Sequence, residues 1–170
     1  MGLFMSLPKG VRRFYSNHYL HSFDVKLLLN AYGVPFTFNV EFTYFAAEHG
    51  YLQLLKYAHD NECKWDELTC AYAARGGHLD LLIYAHDNGC KLHERTCAYA
   101  AEGGHLDLLI YAHDNECKWD ERTCSEAALG GHLDIVKYAH DNGCKWDEMT
   151  CAEAAAGGHL HVLEWIKNNC

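Results

Sequence analysis

The sequence has few basic residues and no long apolar run, and each shortage excludes a class of function. It contains 14 Lys and Arg against 23 Asp and Glu, which gives a formal net charge of −9. A basic binding stripe is therefore absent, and we expect no nucleic acid among its partners. Because polar residues interrupt every apolar run well before the roughly 18 residues that a bilayer crossing needs, we also expect no transmembrane segment.

A secretory signal is also missing from the start of the sequence, where no basic region precedes an apolar run of the required length. The nine cysteines are an odd number, which does not suit a framework of paired disulfides. We therefore expect reduced thiols in an intracellular, cytoplasmic protein. Met1 to Ser6 fit the Met-Gly-x-x-x-Ser pattern, which predicts reversible membrane anchoring through a myristoylated Gly2, unless the match is due to chance.

The sequence does contain enough apolar material for a core, and one unit is repeated throughout. Hydrophobic residues make up 49% of the 170 positions, which predicts a single domain over 1–170. Three sets of residues recur at steps of 27: Cys63, Cys90, Cys117 and Cys144; Cys70, Cys97, Cys124 and Cys151; and His78, His105, His132 and His159. The steps define a degenerate unit at 10–36, repeats at 37–63, 64–90, 91–117 and 118–144, and a C-terminal capping repeat at 145–170.

The sequence of each repeat predicts two short helices, called helix A and helix B. In repeat 64–90, Asp66 is a favourable N-cap, and a Gly-Gly pair ends the first helix, so we expect helix A at 66–75. Helix B is expected at 78–88, where Asp-Asn-Gly is a helix-ending signal. A unit of 27 residues leaves no room for a strand pair as well, so the predicted fold class is all-α. At one junction Leu92 and His93 replace the usual Trp-Asp, which predicts a poor N-cap and a weak repeat there.

Two segments, Ala-Ala-x-Gly-Gly-His-Leu-Asp-x-Leu and Val25 to Gly33, resemble the helical part of ankyrin repeats. The resemblance implies a solenoid of stacked helix-turn-helix units. The unit is about six residues shorter than the usual ankyrin repeat, which implies shortened or absent β-hairpin fingers. The Cys-x-Trp-Asp-Glu-x-Thr-Cys opening is similar to divergent ankyrin-like repeats of giant DNA viruses of amoebae and of oomycetes. One implied source is therefore such a virus, and the protein would then act in the host cytoplasm.

Variation between the copies separates two sides of helix A. Four positions hardly change and share one side of the helix, which we interpret as the stacking core: Thr69, Cys70, Ala73 and Ala74. The opposite side, to which Ala71 is assigned as well, varies between copies. Its candidate partner-binding residues, called the helix A stripe below, are Phe45, Leu68, Tyr72, Arg75, Arg95, Tyr99, Glu102, Arg122, Glu126, Leu129, Met149 and Glu153.

The composition of the helix A stripe is typical of a protein-binding surface, because it combines aromatic residues with a charged rim. The alternative is a solvated face on which the sequence drifts. Every polar cluster recurs from repeat to repeat, so none stands apart as a catalytic site. We therefore predict a monomeric, non-catalytic scaffold without a cofactor, which binds another protein through its concave helix A side.

The cysteines and histidines support a second interpretation, a metal- or redox-responsive protein. One repeat end carries a set that could form a tetrahedral zinc site: His86, Cys90, His93 and Cys97. Packing as small buried hydrophobic residues also explains the cysteines, and it is the interpretation that we prefer, with no metal bound. Disulfides between equivalent cysteines of successive repeats are excluded, because those positions lie roughly 10 Å apart. Four repeats have a histidine in the last turn of helix B, and these residues are predicted to be buried and bridging: His59, His86, His113 and His140.

Overall fold

The structure is a computed structural model that describes residues 40–169. Within this range the chain forms ten α-helices and no β-strand. They are α1 (Val40–Glu48), α2 (Leu52–Asp60), α3 (Glu67–Gly76), α4 (Leu79–Asp87), α5 (Glu94–Glu102), α6 (Leu106–Asp114), α7 (Glu121–Gly130), α8 (Leu133–Asp141), α9 (Glu148–Ala156) and α10 (Leu160–Asn168). Odd-numbered helices are the helices A of the repeats, and even-numbered helices are the helices B. The unit at 10–36 and the Gly2 signal lie outside the described residues.

Short turns connect these helices. Two or three residues separate helix A from helix B, and six residues separate each helix B from the next helix A. In repeat 64–90 the helices begin and end within about one residue of the predicted bounds, a normal uncertainty for helix ends. Each described helix has nine or ten residues, and none has the length and apolarity to span a bilayer.

Helices α3, α5, α7 and α9 begin at side-chain N-caps. Asp66 accepts a hydrogen bond from the backbone N–H of Leu68 at 3.0 Å, and the aspartates at the equivalent positions of α7 and α9 accept from a backbone N–H two or three residues further on. His93 also caps its helix. Its Nδ1 accepts from the backbone N–H of Arg95 at 3.2 Å, and the backbone N–H of His93 donates to the hydroxyl of Thr96 at 3.3 Å. An unprotonated ring nitrogen is an acceptor, and it takes the place of the carboxylate.

Small side chains allow the helices A to pack closely against one another. Thr69, Cys70, Ala73 and Ala74 are completely buried, as predicted for the stacking side. Successive helices A contact each other extensively, whereas successive helices B meet at few points. An all-helical stack of this kind is compatible with a helical repeat solenoid.

The larger apolar side chains of the core come from the helices B. Leu81 and Leu82 of α4 are fully buried, as are the residues at the same positions of α6 and α8, and in α10 Val162 is fully buried. Together with the alanines of the helices A they form one continuous cluster along the stack. A continuous core of this type is expected when a repeat cannot bury its apolar face alone.

Candidate functional site

The helix A stripe extends along five successive helices A, from α1 to α9. All twelve of its side chains are half-buried or exposed. Leu129 is 39% exposed and Met149 is 59% exposed, although both are large and apolar. Charged residues lie between these apolar side chains, so the stripe presents both apolar and charged groups at the surface.

Ala71 does not belong to this open side, and that part of the prediction is wrong. It is completely buried, and its equivalents Ala98 and Ser125 are each 7% exposed. The position lies where successive helices A meet, and a small side chain there allows them to approach closely. In α9 the equivalent Ala152 is exposed, since no helix of the described range packs beyond α9.

An aromatic row forms the first half of the open side. The ring centroids of Tyr44 and Tyr72 are 5.0 Å apart, and those of Tyr72 and Tyr99 are 6.2 Å apart, with the rings tilted in both pairs. Such pairs stabilise by roughly 0.5 to 1.5 kcal/mol each. Tyr44 was not among the predicted residues. It aligns with Ala71 in the 27-residue register, so the comparison between copies assigned its position to the open side although Tyr44 itself was not named.

Phe45 lies beside the aromatic row instead of in it. Its ring stacks on His49 at a centroid distance of 4.3 Å and lies 5.8 Å from Tyr51, which is buried. Phe45 therefore packs at the turn between α1 and α2, against the edge of the core. The neighbouring Tyr44, which is half-buried, makes the ring contact with Tyr72 instead.

One carboxylate joins the aromatic row to a helix cap. Asp66 Oδ2 accepts a hydrogen bond from the Tyr44 hydroxyl at 2.6 Å, while Asp66 Oδ1 accepts from the backbone N–H of Leu68. Burial raises the pKa of the Tyr44 hydroxyl, and the hydrogen bond to Asp66 raises it further. Tyr44 is therefore a neutral donor at physiological pH, held in one orientation.

Arginine side chains cover the middle of the stripe. The guanidinium of Arg75 lies 5.4 Å from the ring centre of Tyr99, and it donates to Glu102 at 3.2 Å. Both partners of this ion pair are largely exposed, so it contributes little to stability. A shallow depression follows on the C-terminal side, of about 200 Å³, lined by Glu94, Arg95, Ala98, Tyr99, Asp120, Arg122 and Glu126. That volume is small for a drug-sized ligand but is adequate for a side chain of a partner.

The second half of the stripe is acidic. Glu102, Glu126 and Glu153 come from three successive helices A. Burial raises the pKa of the Glu126 carboxyl, and the charges of Glu102 and Glu153 raise it further, against the opposing effect of Arg122 and Arg75. A cationic group placed beside Glu126 would relieve this repulsion. The acidic half therefore favours a lysine or arginine of a partner.

Aromatic stacks occupy the ends of the helices B. His113 lies parallel to Trp119, with ring centroids 3.9 Å apart, and Tyr138 of the next repeat meets both rings edge-on. His59 and His140 stack in the same way on Trp65 and Trp146. These histidines bridge adjacent elements as predicted, but they are half-buried, not buried.

A second set of histidines lies between the glycine turns of successive repeats. The 27-residue step of these histidines marks the repeat in the sequence. The ring of His78 lies over Gly50 of the preceding repeat and Gly76 of its own, and its Nε2 is 3.2 Å from the Glu48 carbonyl oxygen. Gly50 has a φ of +72°, which favours glycine. A Cβ on either glycine would lie within 2.6 Å of this ring or closer. The recurrence of Gly-Gly-His every 27 residues was the sequence signal from which this packing of histidine on glycine could have been predicted.

We expect stability to fall as pH decreases below about 6.5, the ordinary pKa of histidine. Burial lowers the pKa of His78, although its hydrogen bond to Glu48 partly opposes this. The unfolded chain then binds a proton more readily than the folded chain, so neutral His78 stabilises the fold above pH 6.5 and protonation removes this contribution below it. Thermal melts over this range should show a smaller fall in His78→Gln. An NMR titration in which the His78 ring titrates at or above 6.5 would contradict the prediction.

The four residues of the candidate zinc set are separated in the structure. His86 Nδ1 is 2.9 Å from the Tyr111 hydroxyl, and His93 caps α5. Cys90 contacts Cys70 of its own repeat, whereas the sulfur of Cys97 is 4.0 Å from the carbonyl oxygen of Cys117. Between residues 40 and 169, no three His, Cys, Asp or Glu side chains converge in a way that could hold a metal ion.

Comparison with known proteins does not assign this chain to a family. No family model matches the sequence, and no curated protein is significantly similar to it. The class that the structure defines is an all-helical protein built from repeated helix pairs, with contacts between neighbouring pairs.

Proposed function

We propose that this protein is a non-catalytic interaction scaffold that binds another protein through the helix A stripe. The observation that carries this proposal is the row of open aromatic, apolar and charged side chains along five successive helices A. Leu129 and Met149 add large exposed apolar side chains to this row, and an exposed apolar surface bordered by polar residues is typical of an interaction site. The ankyrin-like character of the repeats is part of the proposal, supported by the helix pairs and their short turns.

The two halves of the stripe suggest the chemistry of the partner. Tyr72 and Tyr99 offer rings as anchors in the first half, where an apolar or aromatic side chain of a partner would pack. Glu126 and its acidic neighbours in the second half favour a basic side chain, and the depression between the halves has room for it. The partner that fits is therefore a protein segment with an apolar residue followed by a basic one.

The test begins by identifying the partner without assuming what it is. A photo-crosslinking amino acid placed at Leu129, in the full chain expressed in its native cell, should form an adduct with one other protein. The same group at Lys137, which is exposed on helix B, serves as the control. Equal labelling from both positions would show that the stripe is not the binding surface.

The identified partner then allows a matched pair of substitutions. Met149→Glu should weaken binding by about tenfold or more, because a charge replaces an exposed apolar contact. Leu160→Glu introduces the same charge at another exposed apolar position, on helix B, and should leave binding unchanged. Both positions are exposed, so both variants should keep the parent's stability within about 0.5 kcal/mol. Equal losses of affinity from the two variants would contradict the proposal.

A separate substitution tests the acidic half of the stripe. Glu126→Gln should weaken partner binding severalfold and should reduce the dependence of binding on salt, because it removes the central charge of the three glutamates. Isothermal titration at two ionic strengths measures both effects. Unchanged affinity and unchanged salt dependence would show that the partner does not place a cation there.

A further inference from the structure

Cysteines of the same repeat lie in contact, in pairs separated by 20 residues. Cys70 in the first half of α3 and Cys90 in the turn after α4 have sulfur atoms 2.8 Å apart. The same positions of the next two repeats hold Cys97 with Cys117 and Cys124 with Cys144. The Cys97 sulfur is 4.0 Å from the Cys117 carbonyl oxygen, and Cys124 and Cys144 belong to one small buried cluster. All six thiols are between 0% and 5% exposed. Closing the Cys70–Cys90 pair to a disulfide requires its sulfur atoms to approach by less than about 1 Å.

The two thiols of a pair have different surroundings. Cys70 lies within the helix, whereas Cys90 lies in a turn whose neighbours Gly89 and Lys91 are exposed. The sulfur of Cys90 is also 3.0 Å from the backbone carbonyl of Asp66. The Cys70 thiol donates to Cys90, which lowers the pKa of Cys90, while that hydrogen bond and burial raise the pKa of Cys70. Cys90 is therefore the thiol that reacts first when the turn opens.

We propose that the three pairs are modification sites at which a low-molecular-weight disulfide oxidises two thiols to a disulfide within one repeat. The thiolate of Cys90 attacks a sulfur of the oxidant, forms a mixed disulfide and releases one thiolate of the reagent. Cys70, after losing its proton to solvent, then attacks the Cys90 sulfur and displaces the second reagent thiolate. Two protein thiols are oxidised and one molecule of reagent disulfide is reduced to two thiols. Cys117 with Cys97, and Cys144 with Cys124, react in the same way.

Each disulfide would connect helix A to the turn that follows helix B of the same repeat. Oxidation would therefore restrict separation of the two helices in three successive repeats without linking one repeat to the next. This site is independent of the proposed partner binding. It differs from the excluded disulfides between equivalent cysteines, because its members occupy different positions of one repeat.

The experiment uses the full chain, reduced and then incubated with glutathione disulfide. A digest without reductant should contain the linked peptides 70–90, 97–117 and 124–144, so that six of the nine cysteines are lost to protein disulfides, in addition to any thiol that carries glutathione. Addition of dithiothreitol should restore the six thiols. Cys151 is half-buried and belongs to none of the three pairs, so its mixed disulfide with glutathione reports that the reagent reached the protein.

Two variants distinguish pairing from general reactivity. Cys97→Ala should lose four thiols to protein disulfides instead of six and should keep Cys117 free of a protein disulfide, while Cys151→Ala should still lose six to protein disulfides. Circular dichroism checks that both variants fold. Links between cysteines of different pairs, or six persistent thiols in a sample whose Cys151 is modified, would overturn the proposal.

Discussion

Gly104→Ala is expected to lower the free energy of unfolding by about 2 to 4 kcal/mol. Gly104 has a φ of +77°, where alanine is strained, and an added Cβ would lie 2.5 Å from the ring of His132 in the next repeat. The cost therefore has two sources, backbone strain and the displacement of a ring between two repeats. Chemical denaturation with unchanged m-value is the appropriate measurement.

Two other glycines isolate the contribution of the histidine ring. Gly158 occupies the same turn position of the last repeat and has a φ of +74°. Gly143 lies in an interior turn and has a φ of +83°. A Cβ added to either glycine has no neighbouring atom within 4 Å. Their alanine variants should therefore lose only the strain contribution, about 1 to 2 kcal/mol. If Gly143→Ala costs as much as Gly104→Ala, the histidine does not determine how closely the repeats pack.

Leu92→Trp combined with His93→Asp is expected to stabilise the chain by about 1 to 2 kcal/mol. His86 and Tyr111 already have the edge-on arrangement of the other junctions, with ring centroids 5.9 Å apart at an angle of 86°. At those junctions a tryptophan completes the group by stacking on the histidine. Because His93 already caps α5, the larger share of the gain should come from the tryptophan, with the remainder from a charged cap at the helix N-terminus.

The single variants and the reverse change test this division. Leu92→Trp alone should give most of the stabilisation, and Trp119→Leu should destabilise by a similar amount. Amide hydrogen exchange should slow first around residues 91–103, since repeats stabilise mainly their neighbours. A destabilising Leu92→Trp would mean that the space beside His86 does not accept an indole ring.

The local features of this fold could be predicted from the sequence because they depend on nearby residues. Asp66 caps a helix through contacts two residues away, and the Gly-Gly pair ends that helix within the same unit. The 27-residue period then transfers each local prediction to the other copies. Burial of Thr69 and Cys70 could also be predicted, since positions that hardly vary between copies are those on which the neighbours pack.

The contacts between different helices and turns were decided by the tertiary structure. They join residues 20, 22 or 30 positions apart, as in Cys70 with Cys90, Tyr44 with Asp66, and Glu48 with His78. Comparison of copies aligns positions 27 apart, and it therefore detects which residues are alike without showing which residues touch. The offsets depend on how far each helix is shifted and rotated against the next, and that is set by the size of the side chains packed between the repeats. For this reason the thiol pairs, the Gly-Gly-His contacts and the contact of Tyr44 with Asp66 became apparent only in three dimensions.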